Sequence, residues 1–353
     1  MAKTALITGI TGQDGAYLAA LLLEKGYHVH GVRLYEPSPL SPAIVRLLEG
    51  CPQRFFLHYG DMVDGGVWLR LLREIVPDEI YNLAALSHVG VSFELPEASA
   101  QINALGTLRL LEAVRSLRLP ARLYQASSSE MFGNAPAPQN EETPFQPCSP
   151  YASSKLYAYW LVRNYREAYG VYAGNGILFN HESPLRGEEF VTRKITRALA
   201  EIVAGKDTVL RLGNLDAQRD WGHASDYVEG MWRMLQQPQA DDYVLATGHT
   251  HAVREFVKEA FSYAGIDLAW RGQGTEEEAF CARSGRVMVS VDPSLFRPSD
   301  IRCLRGDAAK ARNVLGWEPR HDFLSLVRDM VDADLMERGL QRGAGWLYAV
   351  AAE

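Results

Sequence analysis

The sequence predicts an α/β fold in which a doubly wound parallel sheet is followed by a smaller C-terminal α/β lobe. Through residue 180, short apolar runs alternate with longer amphipathic ones, the pattern of stacked βαβ units. A glycine-rich turn follows the first apolar run, and beyond Asn180 the alternation loosens. We therefore expect a first domain over residues 1–180, with a return segment near 215–248, and a second lobe mainly over 181–353.

The individual elements follow from hydrophobic periodicity. Short apolar runs predict buried strands at Thr4–Thr8, His28–Arg33, Arg54–Tyr59, Glu79–Leu83, Arg122–Ala126 and Gly174–Phe179. Longer periodic segments predict helices at Tyr17–Glu24, Val67–Ile75, Leu105–Leu117, Tyr151–Tyr169, Thr192–Ala204, Asp226–Gln236, Val253–Ala264 and Phe323–Arg338. The polar, weakly periodic segment Arg271–Arg286 is predicted to be a surface loop.

Composition and charge exclude several classes of protein. Of 353 residues, 47% are hydrophobic and 22% charged, which is typical of a folded soluble chain. The net charge of -7 argues against a broad nucleic-acid or membrane surface. An anionic ligand therefore has to be bound by a local cluster of Arg and Lys.

The cysteines and the N-terminus predict a compartment. Cys51, Cys148, Cys281 and Cys303 show no metal-binding spacing, so we expect neither a disulfide framework nor a metal site. No apolar stretch approaches the ~20 residues of a membrane helix. The first strand follows a single Lys and leaves no room for a signal peptide. These features predict a reduced, cytoplasmic enzyme.

A phosphate-binding turn is predicted between the first strand and its helix. Gly9, Gly12 and Gly15 are spaced so that the chain turns tightly and backbone N–H groups approach a pyrophosphate. The structural alternative is a simple tight turn, but a strand before the glycines and a helix after them favour a Rossmann-like dinucleotide site. The GxxGxxG spacing is that of the short-chain dehydrogenase/reductase superfamily. Asp61 and Met62 follow the third strand, where they would contact adenine, although Asp61 could instead cap a loop.

The candidate catalytic residues begin with a tyrosine and a lysine. Tyr151 and Lys155 are four residues apart on a predicted helix and therefore share a face. We expect the ammonium, together with a positive nicotinamide ring, to lower the pKa of the phenol and make it a base. Ser128, in a serine cluster at the end of a predicted strand, would hydrogen-bond the sugar hydroxyl that is oxidised.

Glu130 adds a function that simple oxidation and reduction do not require. A carboxylate beside the serines can remove the proton next to a new ketone and help a neighbouring hydroxyl leave. The structural alternative is a solvated loop glutamate or a helix cap. The functional interpretation predicts loss of water.

These residues lie in segments that resemble the GDP-mannose 4,6-dehydratase family over nearly the whole chain. The segments are ITGITGQDGAYLAALLLEKGY, NLAALSHVGVSFELPE, YQASSSEMFG, SPYASSKLYAYWLVRNYREAYG, GILFNHESPLRGEEFVTRKI, LGNLDAQRDWGHASDYVEGMW and FRPSDI. The resemblance implies oxidation at C4 with Tyr151 as base, removal of the C5 proton by Glu130, loss of water from C6 and return of the hydride to C6. It also implies NADP as coenzyme and a homodimer or homotetramer.

The resemblance further implies two sets of contacts. The coenzyme set contains Gly9, Thr11, Gly12, Gln13, Asp14, Gly15, Arg33, Asp61, Met62, Leu83, Ala84, Ala85, Tyr151, Lys155, His181 and Arg186. The nucleotide-sugar set, largely in the second lobe, contains Ser87, Glu130, Asn180, Val191, Lys194, Arg219, Arg297 and Asp300. The arginines and the lysine suit phosphate oxygens and supply the local positive charge that the net charge requires.

The chain departs from the family pattern at four places. Ser128 replaces Thr and keeps the hydroxyl, which predicts retained activity. Leu86 replaces Gln, which removes a polar group near the nicotinamide. Asp300 replaces Glu, which predicts a shortened or lost ligand contact. After the second strand, Arg33-Leu34-Tyr35-Glu36-Pro37-Ser38-Pro39 replaces the Arg-Arg-Ser-Ser run that holds the 2′-phosphate of NADP and links subunits. NAD therefore remains an alternative to NADP, because Glu36 would repel a phosphate but accept a ribose hydroxyl.

Several functions stay open at this point. The substrate is expected to be GDP-mannose, with a GDP-heptose or another nucleotide hexose as alternatives. A reductase or epimerase of the same superfamily would not need Glu130. A non-catalytic dinucleotide sensor would be expected to lack Tyr151 or Lys155, and the chain has both.

Overall fold

A computed structural model describes residues 2–36, 40–297 and 299–340 of the chain. The strands are β1 (Thr4–Thr8), β2 (His28–Arg33), β3 (Phe55–Tyr59), β4 (Glu79–Asn82), β5 (Arg122–Ser128), β6 (Ala173–Leu178), β7 (Asn180–Glu182), β8 (Leu210–Leu212), β9 (Gln218–Arg219), β10 (Trp221–His223), β11 (Tyr243–Leu245), β12 (His251–Ala252), β13 (Leu268–Arg271), β14 (Glu278–Cys281), β15 (Val287–Val291) and β16 (Cys303–Leu304). Met1, residues 37–39, Pro298 of FRPSDI and residues 341–353, at the end of the predicted second lobe, lie outside the described residues.

The helices alternate with these strands through the first half of the chain. They are α1 (Gln13–Glu24), α2 (Pro42–Gly50), α3 (Gly65–Ile75), α4 (Val89–Glu94), α5 (Pro96–Ser99), α6 (Gly106–Ser116), α7 (Pro150–Tyr169), α8 (Val191–Val203), α9 (Ala224–Met234), α10 (Val253–Tyr263) and α11 (Phe323–Glu337). Short 3₁₀ turns occur at Ser129–Phe132, Gly274–Glu276 and Pro293–Leu295, and π-helical turns at Ala100–Leu105 and Ala311–Leu315. Within the described part of the chain, no helix has the length and apolarity to cross a membrane.

The central sheet confirms the predicted fold class. Its seven strands are parallel and lie in the order β3-β2-β1-β4-β5-β6-β11. Its strands are apolar on both faces because helices cover both faces of the sheet. On one face, Ile7 and Val29 pack with residues of α1. On the other face, Leu6 and Val32 pack with residues of α3 and α6. The carboxyl ends of all these strands therefore meet along one edge, where the crossover loops lie.

A second core surrounds a smaller sheet with the order β13-β14-β15-β8. The expected surface loop over Arg271–Arg286 is wrong for its centre, because β14 pairs with both β13 and β15. Ala279 and Cys281 are buried, whereas Glu278 and Phe280 are only partly buried, and the apolar run of this strand was too short to be recognised in the sequence.

The chain crosses between the two cores more than once. After β8, helix α9 packs against α1 and β11 joins the central sheet, inside the predicted return segment 215–248. Residues Ile301, Leu304 and Trp317 also pack into the first core. The division of the chain at residue 180 stays a prediction.

One buried ion pair fixes α7 to the central sheet. The Asp242 carboxylate accepts hydrogen bonds from Arg166 Nη1 and Nη2 at 3.0 and 2.8 Å. It also accepts bonds from the backbone and side-chain nitrogens of Asn175 at 3.0 and 2.8 Å. Burial opposes ionisation, but the Arg166 and Asn175 hydrogen bonds hold the pKa of Asp242 below its usual 3.8.

We predict that Asp242→Asn lowers the free energy of unfolding by about 2–3 kcal/mol at neutral pH, because it leaves Arg166 without its counter-charge. Since the folded-state pKa of Asp242 is lowered, this stabilisation is present above the usual value of 3.8 and is lost as the pH falls through the folded value. Urea denaturation at several pH values measures the effect. The control Glu167→Gln removes an exposed partner of Arg163 and should change stability by less than about 0.5 kcal/mol. Equal losses in both variants would contradict the assignment.

Candidate active site

A cleft of about 1200 Å³ lies at the carboxyl ends of the central strands, between the two cores. Every residue nominated from the sequence lines it. The coenzyme candidates are Gly9, Thr11, Gly12, Gln13, Asp14, Gly15, Arg33, Asp61, Met62, Leu83, Ala84, Ala85, Tyr151, Lys155, His181 and Arg186. The remaining candidates are Ser87, Ser128, Glu130, Asn180, Val191, Lys194, Arg219, Arg297 and Asp300. Their individual roles stay predictions.

The glycine turn fits a dinucleotide. Gly9 has a φ of +69°, and a Cβ there would lie 2.8 Å from the backbone nitrogen of Ala84. A Cβ on Gly15 would lie 2.6 Å from the carbonyl oxygen of Gly9. Gly12 caps α1 without a side-chain hydrogen bond, so the first N–H groups of the helix are left to a ligand. These residues would hold a pyrophosphate at the positive end of α1.

A charged pair lies immediately beside this turn. The Nδ1 of buried His181 is 2.8 Å from the carbonyl oxygen of Phe179, and its Nε2 is 2.8 Å from Asp14 Oδ2. Each ring nitrogen faces an oxygen acceptor, an arrangement that favours the doubly protonated ring. Burial alone would lower the pKa of His181, but Asp14 raises it above the usual 6.5. The other carboxylate oxygen of Asp14 is buried and receives no hydrogen bond within the described residues.

Two further side chains brace the loop around this pair. Gln13 donates to the carbonyl oxygen of His181 at 2.7 Å and accepts from the Ser183 hydroxyl at 2.8 Å. Arg186 pairs with Glu182 at 3.0 Å, and its guanidinium carbon lies 3.5 Å from the centre of the Phe190 ring. The positive charges of His181 and Arg186 lower the pKa of Asp14, although burial opposes this.

The expected catalytic residues lie together. Ser128 ends β5, and Tyr151 and Lys155 lie on the first two turns of α7. Lys155 Nζ donates to the carbonyl oxygen of Ala126 at 2.8 Å and lies 5.9 Å from the centre of the Tyr151 ring. Burial lowers the pKa of Lys155 to about 8, so the side chain remains mostly cationic at neutral pH.

The expectation that the protein lowers the pKa of Tyr151 is wrong for the protein alone. Burial raises the pKa to about 12, and the negative charge of Glu130 adds to this, while the hydrogen bond with Ser128 and the charge of Arg186 oppose it. The ammonium of Lys155 is hydrogen-bonded to the backbone and not to the phenol. Tyr151 is therefore held neutral until a further positive charge enters the cleft.

Glu130 lies in the 3₁₀ turn that follows β5 and is only 8% exposed. Its backbone nitrogen donates to Ser128 Oγ at 3.2 Å, so the two side chains are tied to one turn. Arg297 from the second lobe approaches Glu130, with its Nη1 4.0 Å from Oε1. The carboxylate is neither solvated nor a helix cap, which removes both structural alternatives for this residue.

Two of the residues predicted to bind the nucleotide sugar, Arg219 and Asp300, contact each other in the cleft. Buried Arg219 donates to the carbonyl oxygen of Ile301 at 2.9 Å and contacts Asp300 Oδ1 at 3.3 Å. Asn214 donates to the other Asp300 oxygen at 3.1 Å. Asp300 therefore bridges Arg219 and Asn214, and Lys194 and Arg297 line the same cleft.

Sequence reasoning missed two residues that shape this cleft. Asn103 accepts from the backbone nitrogen of Leu86 at 2.9 Å and donates to its carbonyl oxygen at 3.1 Å, and it also donates to Ser154 on α7. A polar residue within an otherwise apolar helical segment was the available signal. His88 directly follows Ser87; its Nδ1 accepts from Val91, and burial, with the charges of Arg297 and Lys194, lowers its pKa.

Among residues 2–36, 40–297 and 299–340, no three His, Cys, Asp or Glu side chains are placed to hold an ion.

Comparison with solved structures supports the fold. RMD from Pseudomonas aeruginosa, solved with NADPH, matches with a TM-score of 0.73 at 23% identity, covering 95% of this chain and 99% of that one. A dTDP-glucose 4,6-dehydratase from Bacillus anthracis, solved with NAD, matches with a TM-score of 0.78 at 21% identity, covering 96% and 98%. At these identities the similarity shows a shared fold.

Sequence comparison gives a narrower result. The family model described as GDP-mannose 4,6 dehydratase matches residues 6–330. A GDP-mannose 4,6-dehydratase from Sinorhizobium fredii is 58% identical over 339 residues, covering 94% of this chain and 97% of the relative. The human GDP-mannose 4,6 dehydratase is 51% identical over 341 residues, covering 94% and 91%. The chain, with its glycine turn, Tyr151, Lys155 and Glu130, therefore belongs to the GDP-mannose 4,6-dehydratase family.

Proposed function

We propose that this chain is a nicotinamide-dependent hydro-lyase that converts GDP-mannose to GDP-4-keto-6-deoxymannose. The observation that carries the proposal is the buried carboxylate of Glu130 on the same turn as Ser128 and beside Tyr151. Oxidation of one carbon requires only the serine, tyrosine and lysine, whereas removal of water needs an additional acid–base group. Membership of the family supports the choice of GDP-mannose.

The first step belongs to Tyr151 and Ser128. The nicotinamide coenzyme supplies a hydride acceptor that later acts as donor, and its positive ring favours the phenolate of Tyr151. Ser128 orients the C4 hydroxyl by a hydrogen bond, and Tyr151 removes its proton while the C4 hydride leaves. Lys155 holds a positive charge below the phenol and stabilises its anionic form.

The second step belongs to Glu130. The new C4 ketone makes the C5 proton acidic, and the Glu130 carboxylate removes it. The protonated side chain then gives that proton to the C6 hydroxyl, which leaves as water and creates a C5–C6 double bond. The hydride that a bound coenzyme would hold returns to C6, and the proton that Tyr151 took from the C4 hydroxyl returns to C5, directly or through Glu130 or water. Both side chains are then in their starting states, and because the hydride from C4 has returned to the same sugar, no net oxidation occurs.

The diphosphate of the substrate is proposed to lie against the second lobe. Arg219 and Arg297 present planar guanidinium groups and Lys194 a point charge along one wall of the cleft. A cytoplasmic location and a homodimeric or homotetrameric assembly stay predictions from the sequence.

Turnover of a panel of nucleotide sugars tests the proposal. GDP-mannose should give a product lighter by one water while added coenzyme is not consumed, as measured by mass spectrometry. Stoichiometric consumption of reduced coenzyme would indicate a reductase, and an isomer of unchanged mass would indicate an epimerase. Either result would contradict the proposal.

We predict that Glu130→Gln slows dehydration at least about 100-fold, because the amide cannot remove the C5 proton. Oxidation at C4 should persist, so the 4-keto hexose that still contains its C6 hydroxyl should accumulate on the enzyme in a single turnover. Rapid quench and mass spectrometry measure both. The control Glu142→Gln changes an exposed carboxylate and should behave as the unmodified protein. Normal dehydration by Glu130→Gln would remove the role assigned to Glu130.

We predict that Arg297→Gln raises the KM for the nucleotide sugar about 10–100-fold, because a charged hydrogen bond to the diphosphate is lost. The side chain is 36% exposed, so folding should be retained. Steady-state kinetics measure the change, and kcat should fall less than KM rises. Arg302→Gln, an exposed neighbour, is the control. An unchanged KM would place the diphosphate elsewhere.

A further inference from the structure

We propose that this protein binds NAD in preference to NADP, and that Glu36 and the orientation of Arg33 determine that preference. The inference rests on the proposed function in that it concerns the coenzyme of the same site. It is argued from the wall of the cleft beyond β2 and β3, which is lined by Arg33, Leu34, Glu36, Gly60 and Asp61. In dinucleotide-binding folds this position, about 20 residues after the glycine turn, receives the ribose of the adenosine.

Arg33 is directed toward its own loop. Its Nε lies 3.2 Å from the carbonyl oxygen of Leu34, and its Nη2 lies 3.4 Å from the carbonyl oxygen of Glu36. The guanidinium therefore closes the turn at the end of β2. Binding a phosphate with paired N–H donors would require it to give up these contacts.

The charges of this wall are unfavourable for a phosphate. Glu36 is exposed and lines the cleft. Asp61, which follows β3, lines the same cleft and accepts a hydrogen bond from the backbone nitrogen of Val63 at 3.1 Å. A 2′-phosphate carries a charge of about -1.5 to -2 at neutral pH. This wall therefore contains two carboxylates and one arginine. A ribose with a free 2′-hydroxyl instead donates a hydrogen bond that the Glu36 carboxylate can accept.

Two other nearby arginines are engaged with neighbouring groups. Arg109 donates to the carbonyl oxygens of Met62 and Gln101 at 3.2 and 3.1 Å and to Gln101 Oε1 at 2.9 Å. Arg70 on α3 pairs with Glu74 at 3.2 Å. Leu34, which is 46% exposed in the same wall, adds no polar group. The preference for NAD thus follows from several side chains.

Calorimetric titration of the full-length protein, freed of bound nucleotide, tests the proposal with NAD⁺ and NADP⁺ separately. We expect NAD⁺ to bind at least about tenfold more tightly, since the 2′-phosphate meets repulsion instead of a hydrogen bond. Tighter binding of NADP⁺ to the unmodified protein, or equal affinities, would overturn the proposal.

Two variants test which side chains determine the coenzyme preference. Glu36→Gln should improve NADP⁺ binding roughly fivefold by removing one repulsive charge, and L34R combined with it should bring NADP⁺ to at least the affinity of NAD⁺. The matched control Glu49→Gln removes an exposed carboxylate of α2 outside the cleft and should leave the ratio unchanged. A ratio that moves equally in Glu36→Gln and Glu49→Gln would assign the preference to net charge and overturn the role of Glu36.

These binding measurements need no sugar. A protein that binds NAD⁺ tightly but dehydrates no nucleotide sugar would support the coenzyme assignment and contradict the proposed function. A protein that dehydrates GDP-mannose but binds NADP⁺ more tightly than NAD⁺ would support the proposed function and contradict the coenzyme assignment.

Discussion

The architecture of the cleft depends on the contact between the glycine turn and the loop after β4. A side chain at Gly9 would collide with the backbone of Ala84, and one at Gly15 would collide with Gly9 and Ile10. Only glycine permits this approach, which aims the N-terminus of α1 at the loop containing Leu83–Ser87. Because β4 and β5 are neighbours, the same contact sets the distance from the phosphate-binding turn to Ser128 and Glu130.

Burial then determines the protonation states that the chemistry uses. The buried phenol of Tyr151, with its pKa raised to about 12, is neutral in the protein alone. Burial lowers the pKa of Lys155 to about 8, so this side chain is mostly cationic at neutral pH, and Asp14 raises the pKa of His181. Glu130 lies close to Arg297, with Arg297 Nη1 4.0 Å from Glu130 Oε1. In the proposed reaction, this contact would join the acid–base group to the residues that bind the diphosphate.

The sequence predicted the central sheet well, because strands buried on both faces have strong apolar runs, and it placed the glycine turn, Ser128, Glu130, Tyr151 and Lys155 in one cleft. It did not predict β14, whose apolar run is only three residues long. Nor did it predict the hydrogen bonds between Asn103 and Leu86, which join residues far apart in the chain. The rise that burial causes in the pKa of Tyr151 in the protein alone was not predicted, because burial depends on the whole fold, and the effect of the coenzyme ring on that pKa stays a prediction. The proximity of Arg297 to Glu130 likewise requires the tertiary structure, since no local pattern relates them.

The central claim is that one cleft moves a hydride from C4 to C6 of the same sugar while Glu130 removes water between them. Turnover of GDP-mannose that carries deuterium at C4, followed by NMR of the product, tests it most directly. The account predicts that the deuterium is retained and found at C6, in a product lighter by one water. Deuterium lost to solvent or left on the coenzyme pool, or a product that keeps its C6 hydroxyl, would contradict it.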